Sequence, residues 1–254
     1  MNGYFKYRFT EKIDFNVNEG EFITIVGNNN DLFINTLVFG HPKCNVFVGD
    51  KELNKKNADI IKRRLSIVMN RHLNIFSSET VEDELAFGLE SLAMSKDDMR
   101  ELIDSQSRRF KIDHLLKKDP CSLGSSDKTK MKILSSLILK PNVLILDNIM
   151  SELDYNDKEL VFDLLQEFTK KGGIVINCTN DIEESLHAQR IIILYDKALA
   201  CEGKTLSVLN EEKLLKRLGI GLPFLVELNK YFMDYGMIDK YHLTNEKLVN
   251  ALWK

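Results

Sequence analysis

Four short runs of consecutive apolar residues stand out along the chain, at residues 22–26, 143–146, 174–176 and 191–194. Gly27 closes the first run and Asp147 closes the second. Apolar and polar residues do not alternate inside these runs, as they would in a strand with one face in water. Continuous runs of this length, rich in β-branched residues, are typical of parallel strands covered on both faces. The pattern therefore predicts a buried parallel sheet.

Between these runs, apolar residues recur at the spacing of amphipathic helices. A helix is predicted around residues 160–168, with Asn156 or Asp157 as its N-cap and Gly172–Gly173 as its C-terminal stop. Strands that alternate with helices indicate an α/β fold with a parallel core.

Two stretches differ from this alternation. Residues 80–116 are highly charged and helical in spacing, without a strand-like run, which predicts an inserted helical subdomain. Near the end, Gly219 and residues 221–223 break a helix, and two amphipathic segments follow at 223–235 and 244–253. Thr244 is the expected N-cap of the last helix. The tail is therefore predicted to be a small α-rich extension.

Composition narrows the class of protein. The chain has 254 residues with 44% hydrophobic content, which suffices for one substantial core and a small appendage. The formal net charge of -3 gives no field that would attract nucleic acid. The locally basic stretch 51–64 contains Glu52 and Asp59, and is interpreted as a solvated face. No nucleic-acid partner is expected.

The cysteines and apolar segments bear on location. Cys44, Cys121, Cys178 and Cys201 lie far apart, without metal-ligand spacing, so we expect reduced thiols in a cytosolic protein and no metal site. The N-terminus lacks the apolar segment of a signal peptide. No apolar run approaches the ~18 residues of a membrane span. If the protein works at a membrane, a partner is expected to hold it there.

Several motifs in order along the chain carry a family resemblance. Residues 80–90 read T-V-E-D-E-L-A-F-G-L-E, the strand at 143–146 ends in Asp147, and residues 151–154 read S-E-L-D. Together with the tail from residue 222, they make the chain similar to ABC-type ATPases, most of all to the ATPase subunits of energy-coupling-factor (ECF) vitamin transporters. The T-V-E-D segment and the tail are the specific motifs.

This resemblance implies the ABC ATPase fold, in which a RecA-like mixed sheet carries an inserted helical subdomain. The expected division is an ATPase-like domain over residues 1–215, with the helical subdomain at about 76–125. A C-terminal extension is expected over 216–254. Its many aromatic residues belong either to the core or to a dimer contact, and the resemblance favours contact with a second ATPase subunit.

The resemblance also aligns residues 27–36 with the phosphate-binding P-loop. A P-loop cradles phosphate with backbone N–H groups, reaches the β- and γ-phosphates with a Lys and holds Mg²⁺ with a Ser or Thr hydroxyl. Phe33 stands at the Lys position and Ile34 at the hydroxyl position. We expect Phe33 to plug the loop. The loop itself is formed by Gly27, Asn28, Asn29 and Asn30.

Other aligned positions are substituted as well. Asn148 stands where the family has its general-base Glu, Asn70 at the Q-loop Gln and Asn180 at the switch His. An amide cannot take a proton from water, so the chemical step lacks its base. Asp147 either holds Mg²⁺ or is a plain strand-end residue. Tyr7 either stacks on adenine or packs in a strand.

Two further loops carry contacts between subunits in the family. The signature loop aligns with Leu123, Gly124, Ser125, Ser126 and Asp127. There, Ser125 or Ser126 could offer a hydroxyl to the partner's phosphate, whereas Asp127 adds a negative charge. The D-loop, expected at the dimer contact, aligns with Ser151, Glu152, Leu153 and Asp154.

The substitutions fall on phosphate-handling positions, while the strands, D-loop and tail keep the family pattern. We therefore expect a non-hydrolytic subunit that pairs with an intact ABC ATPase under a membrane subunit, peripheral on the inner face of the cell membrane. The membrane subunit would dock around residues 70–76. The alternatives are an active ATPase subunit, a homodimer, or a regulator or decoy of ABC ATPases. ATP and Mg²⁺ are expected only if the altered site still binds them.

Overall fold

The computed structural model describes residues 4–70, 76–90, 92 and 94–253. Its strands are β1 (Phe5–Phe9), β2 (Ile13–Val17), β3 (Phe22–Gly27), β4 (Cys44–Val48), β5 (Lys51–Glu52), β6 (Leu65–Met69), β7 (Val143–Asp147), β8 (Ile174–Cys178), β9 (Arg190–Tyr195) and β10 (Ala198–Lys204). Its α-helices are α1 (Asn30–Phe39), α2 (Ala58–Arg64), α3 (Val81–Glu90), α4 (Lys96–Arg109), α5 (Ser125–Leu137), α6 (Tyr155–Lys170), α7 (Thr205–Leu209), α8 (Glu212–Arg217), α9 (Phe224–Asp234) and α10 (Asn245–Leu252).

The larger sheet contains the four predicted apolar runs. Its strand order is β10-β9-β3-β8-β7-β6, and the pairs from β9 through β6 are parallel. The apolar residues of β3, β7, β8 and β9 are buried, as expected for strands covered on both faces. The prediction of a buried parallel sheet is confirmed. Antiparallel β10 at one edge makes the sheet mixed.

A second sheet is antiparallel and was not predicted from the sequence. Its order is β2-β1-β4-β5. In β1 and β2, buried and more exposed residues alternate with a period of two, as the runs Phe5–Phe9 and Ile13–Val17 show. Such alternation is the sequence signal of a half-buried strand.

Helices and sheets stack in layers. Helix α1 and the second sheet pack on one face of the larger sheet, around a core that includes Tyr7 and Phe33. Helices α3 to α6 pack on the opposite face. Helices α7 to α9 pack against Val26 of β3 and against Ile191 and Ile193 of β9. Each face of the parallel strands is therefore shielded from water.

The predicted helices are present, with one correction. The helix around 160–168 is α6, but its N-cap is Asp154, whose carboxylate accepts the N–H of Asp157 at 3.0 Å. Asn156 and Asp157 were wrong as caps because they already lie in the first turn. Thr244 caps α10 and accepts the N–H of Lys247 at 3.3 Å, as predicted.

Three further features of the structure relate to the sequence predictions. Among the described residues of 76–125, the helices α3, α4 and the start of α5 are present and no strand is. The four cysteines are free thiols. In the described part of the chain, no helix is long and apolar enough to cross a membrane.

Candidate functional site

The carboxyl ends of the parallel strands meet at one edge of the larger sheet. Met69, Asp147 and Cys178 are neighbours in register at the ends of β6, β7 and β8. The loops that leave these ends and β3 surround a cavity of about 370 Å³. It is lined by Gly27, Asn28, Asn30, Asp31, Ile34, Asn35, Asn70, Asp147, Asn148, Cys178 and Asn180. Crevices at this edge are the usual ligand sites of open α/β sheets.

Gly27 permits the tight exit from β3. Its φ is 125°, and a Cβ built on it would lie 2.0 Å from the carbonyl oxygen of Leu194. Because no side chain fits at that distance, only glycine allows the loop to pass this close to β9.

The next two residues are bound to the turn between β9 and β10. The Asn28 amide donates to an Asp196 carboxylate oxygen at 3.3 Å and accepts the Asp196 N–H at 3.0 Å. The Lys197 N–H donates to Asn29 Oδ1 at 2.6 Å. The loop is therefore held by contacts within the chain, and Asn29 does not line the cavity. No sequence motif indicated this role of Asp196 and Lys197.

The loop continues into the first turn of α1. Asn30 is 9% exposed, and its side-chain NH₂ group donates to the carbonyl of Thr179 at 2.9 Å. Asp31 follows in the first turn and is exposed. A carboxylate there is stabilised by the positive end of the helix dipole. The end of α1 that faces the cavity thus already carries an anionic group of its own chain.

Phe33 does not plug the cavity, contrary to the expectation. Its ring is fully buried in the core between the two sheets, 4.8 Å from the ring of Tyr7 and 5.8 Å from that of Phe15. At the fourth position of α1 the side chain points towards the second sheet, where these aromatic rings pack around it. The cavity consequently stays open.

Tyr7 packs in the strand, which was one of the two alternatives. It is fully buried, and its hydroxyl is 2.7 Å from Thr36 Oγ1. Burial raises the pKa of this hydroxyl far above its usual range. In this position the ring offers no face to a nucleotide, so the adenine-stacking interpretation was wrong for this conformation.

The remaining cavity wall is polar. No Lys, Arg or His is present among the described residues that line it. Ile34 contributes an apolar wall where a hydroxyl was expected in the family. Burial, aided by the charge of Asp147, raises the pKa of the Cys178 thiol well above its usual value. The thiol at this edge is therefore protonated.

The structure brings the three aligned asparagines to the same cavity. The Asn70 amide donates to the Asn148 carbonyl at 3.2 Å and to Glu152 Oε1 at 3.1 Å. The Asn148 N–H donates to the Cys178 carbonyl at 2.8 Å. Asn180 is exposed at the rim. Asn70 and Asn148 thus tie the ends of three neighbouring strands together.

The predicted D-loop is attached to this edge. Ser151 Oγ donates to the Asn148 carbonyl at 2.8 Å, and Glu152 accepts from Asn70. Leu153 is buried in the core, while Asp154 caps α6. The D-loop is therefore coupled to the strand ends by hydrogen bonds.

The signature-like segment lies outside the cavity, at the start of α5. Leu123 is buried, whereas Gly124 and Ser125 are exposed. Ser126 Oγ donates to Asp157 Oδ2 at 2.6 Å. Of the two candidate serines, Ser125 is exposed, whereas the hydroxyl of Ser126 is hydrogen-bonded to Asp157.

A buried lysine joins this segment to α6. Lys130 Nζ lies 3.0 Å from Asp127 and 2.9 Å from Asp157. Burial alone would lower the pKa of Lys130, but the two carboxylates raise it above its usual value. Burial alone would raise the pKa of Asp157, but the hydrogen bonds from Ser126 and Lys130 lower it below its usual value. Lys130 therefore compensates the negative charge of Asp127. No sequence motif indicated this ion pair.

Residues 10–151 match the profile of the ABC transporter family, and this region is more than half of the 254 residues. The chain belongs to the ABC transporter family. This ABC-family chain is 30% identical over 250 residues to the energy-coupling factor transporter ATP-binding protein EcfA1 of Enterococcus faecalis, covering 95% of the chain and 89% of that relative. It is 29% identical to EcfA1 of Mycoplasma pneumoniae, covering 99% and 94% respectively.

Solved structures support the same fold. CbiO1 of Clostridium perfringens, described as part of the ABC transporter complex CbiONQ, superimposes with a TM-score of 0.72 at 22% identity. The match covers 91% of this ABC-family chain and all of that structure. The dimeric bacterial ABC transporter cassette MJ0796 gives a TM-score of 0.70 at 20% identity, covering 79% of this chain and 98% of that one. The expected family and fold are confirmed.

Proposed function

We propose that this ABC-family chain is an ECF-type transporter subunit that does not hydrolyse ATP and acts as the structural or regulatory partner of an intact ATPase subunit. A membrane subunit would hold both on the inner face of the cell membrane, and the transported compound would be a vitamin or another micronutrient. The similarity to EcfA1 proteins along almost the whole chain supports the transporter assignment.

The cavity lining carries the non-hydrolytic part of the proposal. A triphosphate needs cationic or N–H donors, and Mg²⁺ needs oxygen ligands in a near-octahedral arrangement. The lining offers no cationic side chain among the described residues, and Ile34 supplies no oxygen. The carboxylate of Asp31, in the first turn of α1, would repel phosphate. These side chains do not fit a magnesium–triphosphate group.

The position after β7 supports the same proposal. Asn148 follows Asp147 with φ of 48°, and its backbone is fixed by hydrogen bonds to Cys178 and Asn70. Its neutral amide cannot accept a proton from an attacking water. Even a weakly bound nucleotide would therefore lack the group that activates water.

The segments that contact the partner subunit in the family are exposed on the surface of this chain. Ser125 and Gly124 are exposed at the start of α5, where the family presents its signature loop to the partner. The D-loop residues Ser151 and Asp154 are exposed as well. These surfaces support assembly with a second cassette, whereas the cavity of this chain takes no part in hydrolysis.

An active ATPase subunit is the second candidate, because the named relatives are called ATP-binding proteins. Calorimetry of the purified chain with ATP and Mg²⁺ separates the two. The proposal expects no saturable heat up to about 1 mM nucleotide, since losing the Lys and the metal ligand removes several charge-assisted hydrogen bonds of about 1.5–3 kcal/mol each.

A dissociation constant in the micromolar range would reject the proposal and favour the active subunit. The control is an intact ECF-type ATP-binding subunit, which must bind under the same conditions. A complex of this chain with that subunit should hydrolyse ATP only through the intact subunit's own P-loop. Inactivating that P-loop must then abolish all turnover.

A further inference from the structure

A cavity of about 530 Å³ lies at the amino-terminal edge of the parallel strands, at the end of the larger sheet opposite the candidate site. Its lining includes Glu19, which precedes β3, together with Pro141 and Gly173, which precede β7 and β8. The other walls come from the C-terminal halves of α4, α5 and α6. The cavity therefore lies between α4, in the predicted helical subdomain, and the sheet. Its volume is within the range of small-molecule sites.

Part of the cavity wall is apolar. Leu102, Leu137 and Phe168 line it and are only partly buried. The ring of Phe168 packs directly on the backbone of Gly173, where an added Cβ would lie 2.4 Å from two ring carbons. The lack of a side chain at Gly173 thus leaves room for this ring in the wall. An apolar group of a ligand would remove these side chains from water, which favours binding.

Two lysines bring positive charge to the same cavity. Lys140 and Lys171 line it and are exposed, and neither forms an ion pair with another described residue. Lys140 has a φ of 53°, in the left-handed region that is unfavourable for residues with a Cβ. Local strain of this kind is found preferentially at functional sites. The two ammonium groups are therefore available to a ligand.

The other charges of the lining only partly offset these lysines. Arg109 and Glu167 form an ion pair with each other. Glu19 is exposed and contributes one negative charge. The cavity consequently has one positive charge in excess, and it favours an anion over a neutral ligand of the same shape.

We propose that this cavity binds a small organic anion, with a carboxylate at Lys140 and Lys171 and an apolar body against Leu102 and Phe168. A carboxylate accepts charge-assisted hydrogen bonds from ammonium groups, which are stronger than neutral ones. The inference goes beyond the proposed function, because it concerns the opposite end of the sheet and requires nothing of the nucleotide site. An occupant would contact α4 and α6 at once and would thereby link the predicted helical subdomain to the core.

Naphthoate and naphthamide form the test pair, since they have nearly the same shape and only naphthoate is charged. Calorimetry on the full chain is expected to show naphthoate binding about three- to tenfold more tightly than naphthamide. Lys171→Gln should weaken naphthoate binding about three- to fivefold, because it removes one partly solvated cation, and should leave naphthamide binding unchanged. Glu19→Gln should strengthen naphthoate binding about twofold, because it removes the opposing carboxylate.

Lys170→Gln is the matched control, because Lys170 is the neighbouring exposed lysine of α6 and does not line the cavity. It should leave naphthoate affinity within about 1.5-fold of the parent. Leu102→Trp tests the location independently of charge, since a larger side chain in the wall should weaken both ligands by more than about fivefold. Circular dichroism checks that every variant folds, which the exposure of Glu19, Lys170 and Lys171 favours.

The pattern across these variants decides the inference. Equal binding of naphthoate and naphthamide, or equal effects of Lys170→Gln and Lys171→Gln, would overturn it. The absence of heat from naphthoate at about 5 mM would overturn it as well. A folded Leu102→Trp variant that binds both ligands as tightly as the parent would show that they bind elsewhere, and the assignment of the cavity would be wrong.

Discussion

At the scale of single residues, the burial of Phe33 determines what a lysine at this position would do. The ring belongs to the core between the two sheets, so a Lys at this position would place its charge among Tyr7 and Phe15. Burying an unpaired charge is costly, and Phe33→Lys should destabilise the fold by more than about 4 kcal/mol without creating ATP binding. Urea unfolding and calorimetry measure the two effects.

Phe39→Lys is the matched control, because Phe39 lies in the same helix but is 71% exposed. Its stability should stay within about 0.5 kcal/mol of the parent. A Phe33→Lys variant as stable as Phe39→Lys would mean that position 33 can turn its side chain towards the cavity.

Gly27 is the residue on which the loop geometry depends most directly. Gly27→Ala would bring Cβ against the Leu194 carbonyl at a φ of 125°, so the exit from β3 must shift. We expect a loss of about 3 kcal/mol or more in unfolding free energy. Gly221→Ala, with nothing within 4 Å of its added Cβ, should change it by less than about 1 kcal/mol. Chemical denaturation of both variants is the measurement, and equal effects would contradict this account.

At the scale of elements, α5 and α6 are joined by the buried Lys130. Asp157→Asn should destabilise the protein at pH 7 by about 2–3 kcal/mol, because Lys130 would keep only Asp127 as a partner. The folded-state pKa of Asp157 is lowered, so its stabilising effect is present above its unfolded pKa of about 3.9. That effect is lost as the pH falls through the lower, folded-state pKa.

The difference between parent and Asp157→Asn should therefore be constant from pH 7 to about 5 and shrink below about pH 4. Denaturation at several pH values provides the measurement. Asp163→Asn, an exposed position of the same helix, should show a small difference that changes little with pH. A stability gap for Asp157→Asn that persists at acidic pH would show that packing, and not charge, accounts for it.

The elements also show what the sequence could and could not predict. The continuous apolar runs gave β3, β7, β8 and β9, because burial on both faces selects such runs. The strands β1 and β2 were not predicted, although their buried and more exposed residues alternate regularly, which is the pattern of a half-buried strand. The predicted N-cap of α6 lay two or three residues after the observed one, Asp154. Side-chain capping depends on local backbone angles that composition does not reveal.

The sequence predicted several of the residues that line the candidate site, but not the direction in which every side chain points. Asn70, Asn148 and Asn180 were expected at one site, and the convergence of strand ends brings them there. Phe33 was expected to face that site and Tyr7 was left open between stacking and packing, whereas both belong to the aromatic core. The family alignment fixes which residues are near the cavity. Which way a substituted side chain points depends on the core packing around it, here on Phe15 and Thr36.

At the scale of the whole molecule, large exposed aromatic side chains are candidates for partner contacts. The C-terminal extension exposes large side chains at Tyr231, Tyr235 and Trp253, the last two more than 80% exposed. The helical subdomain exposes Phe87 at 61%. Exposed aromatic residues grouped in one region are characteristic of protein–protein interfaces. The extension is thus the predicted contact with a second cassette, while Phe87 lies on a different element, α3.

If the extension forms the contact between cassettes, Tyr235→Glu should weaken association with an intact ECF-type ATP-binding subunit by about tenfold or more, because interfacial aromatic residues often contribute over 1.4 kcal/mol. Phe87→Glu is the matched control, since it places the same charge on another exposed aromatic position, and should leave that association unchanged. Fluorescence anisotropy with a labelled subunit measures both. Because Tyr235 is 81% exposed, the variant should fold normally, so a loss of binding reports on the interface. The reverse result, with Phe87→Glu disrupting the pair and Tyr235→Glu silent, would place the contact on the helical subdomain and leave the extension to another partner.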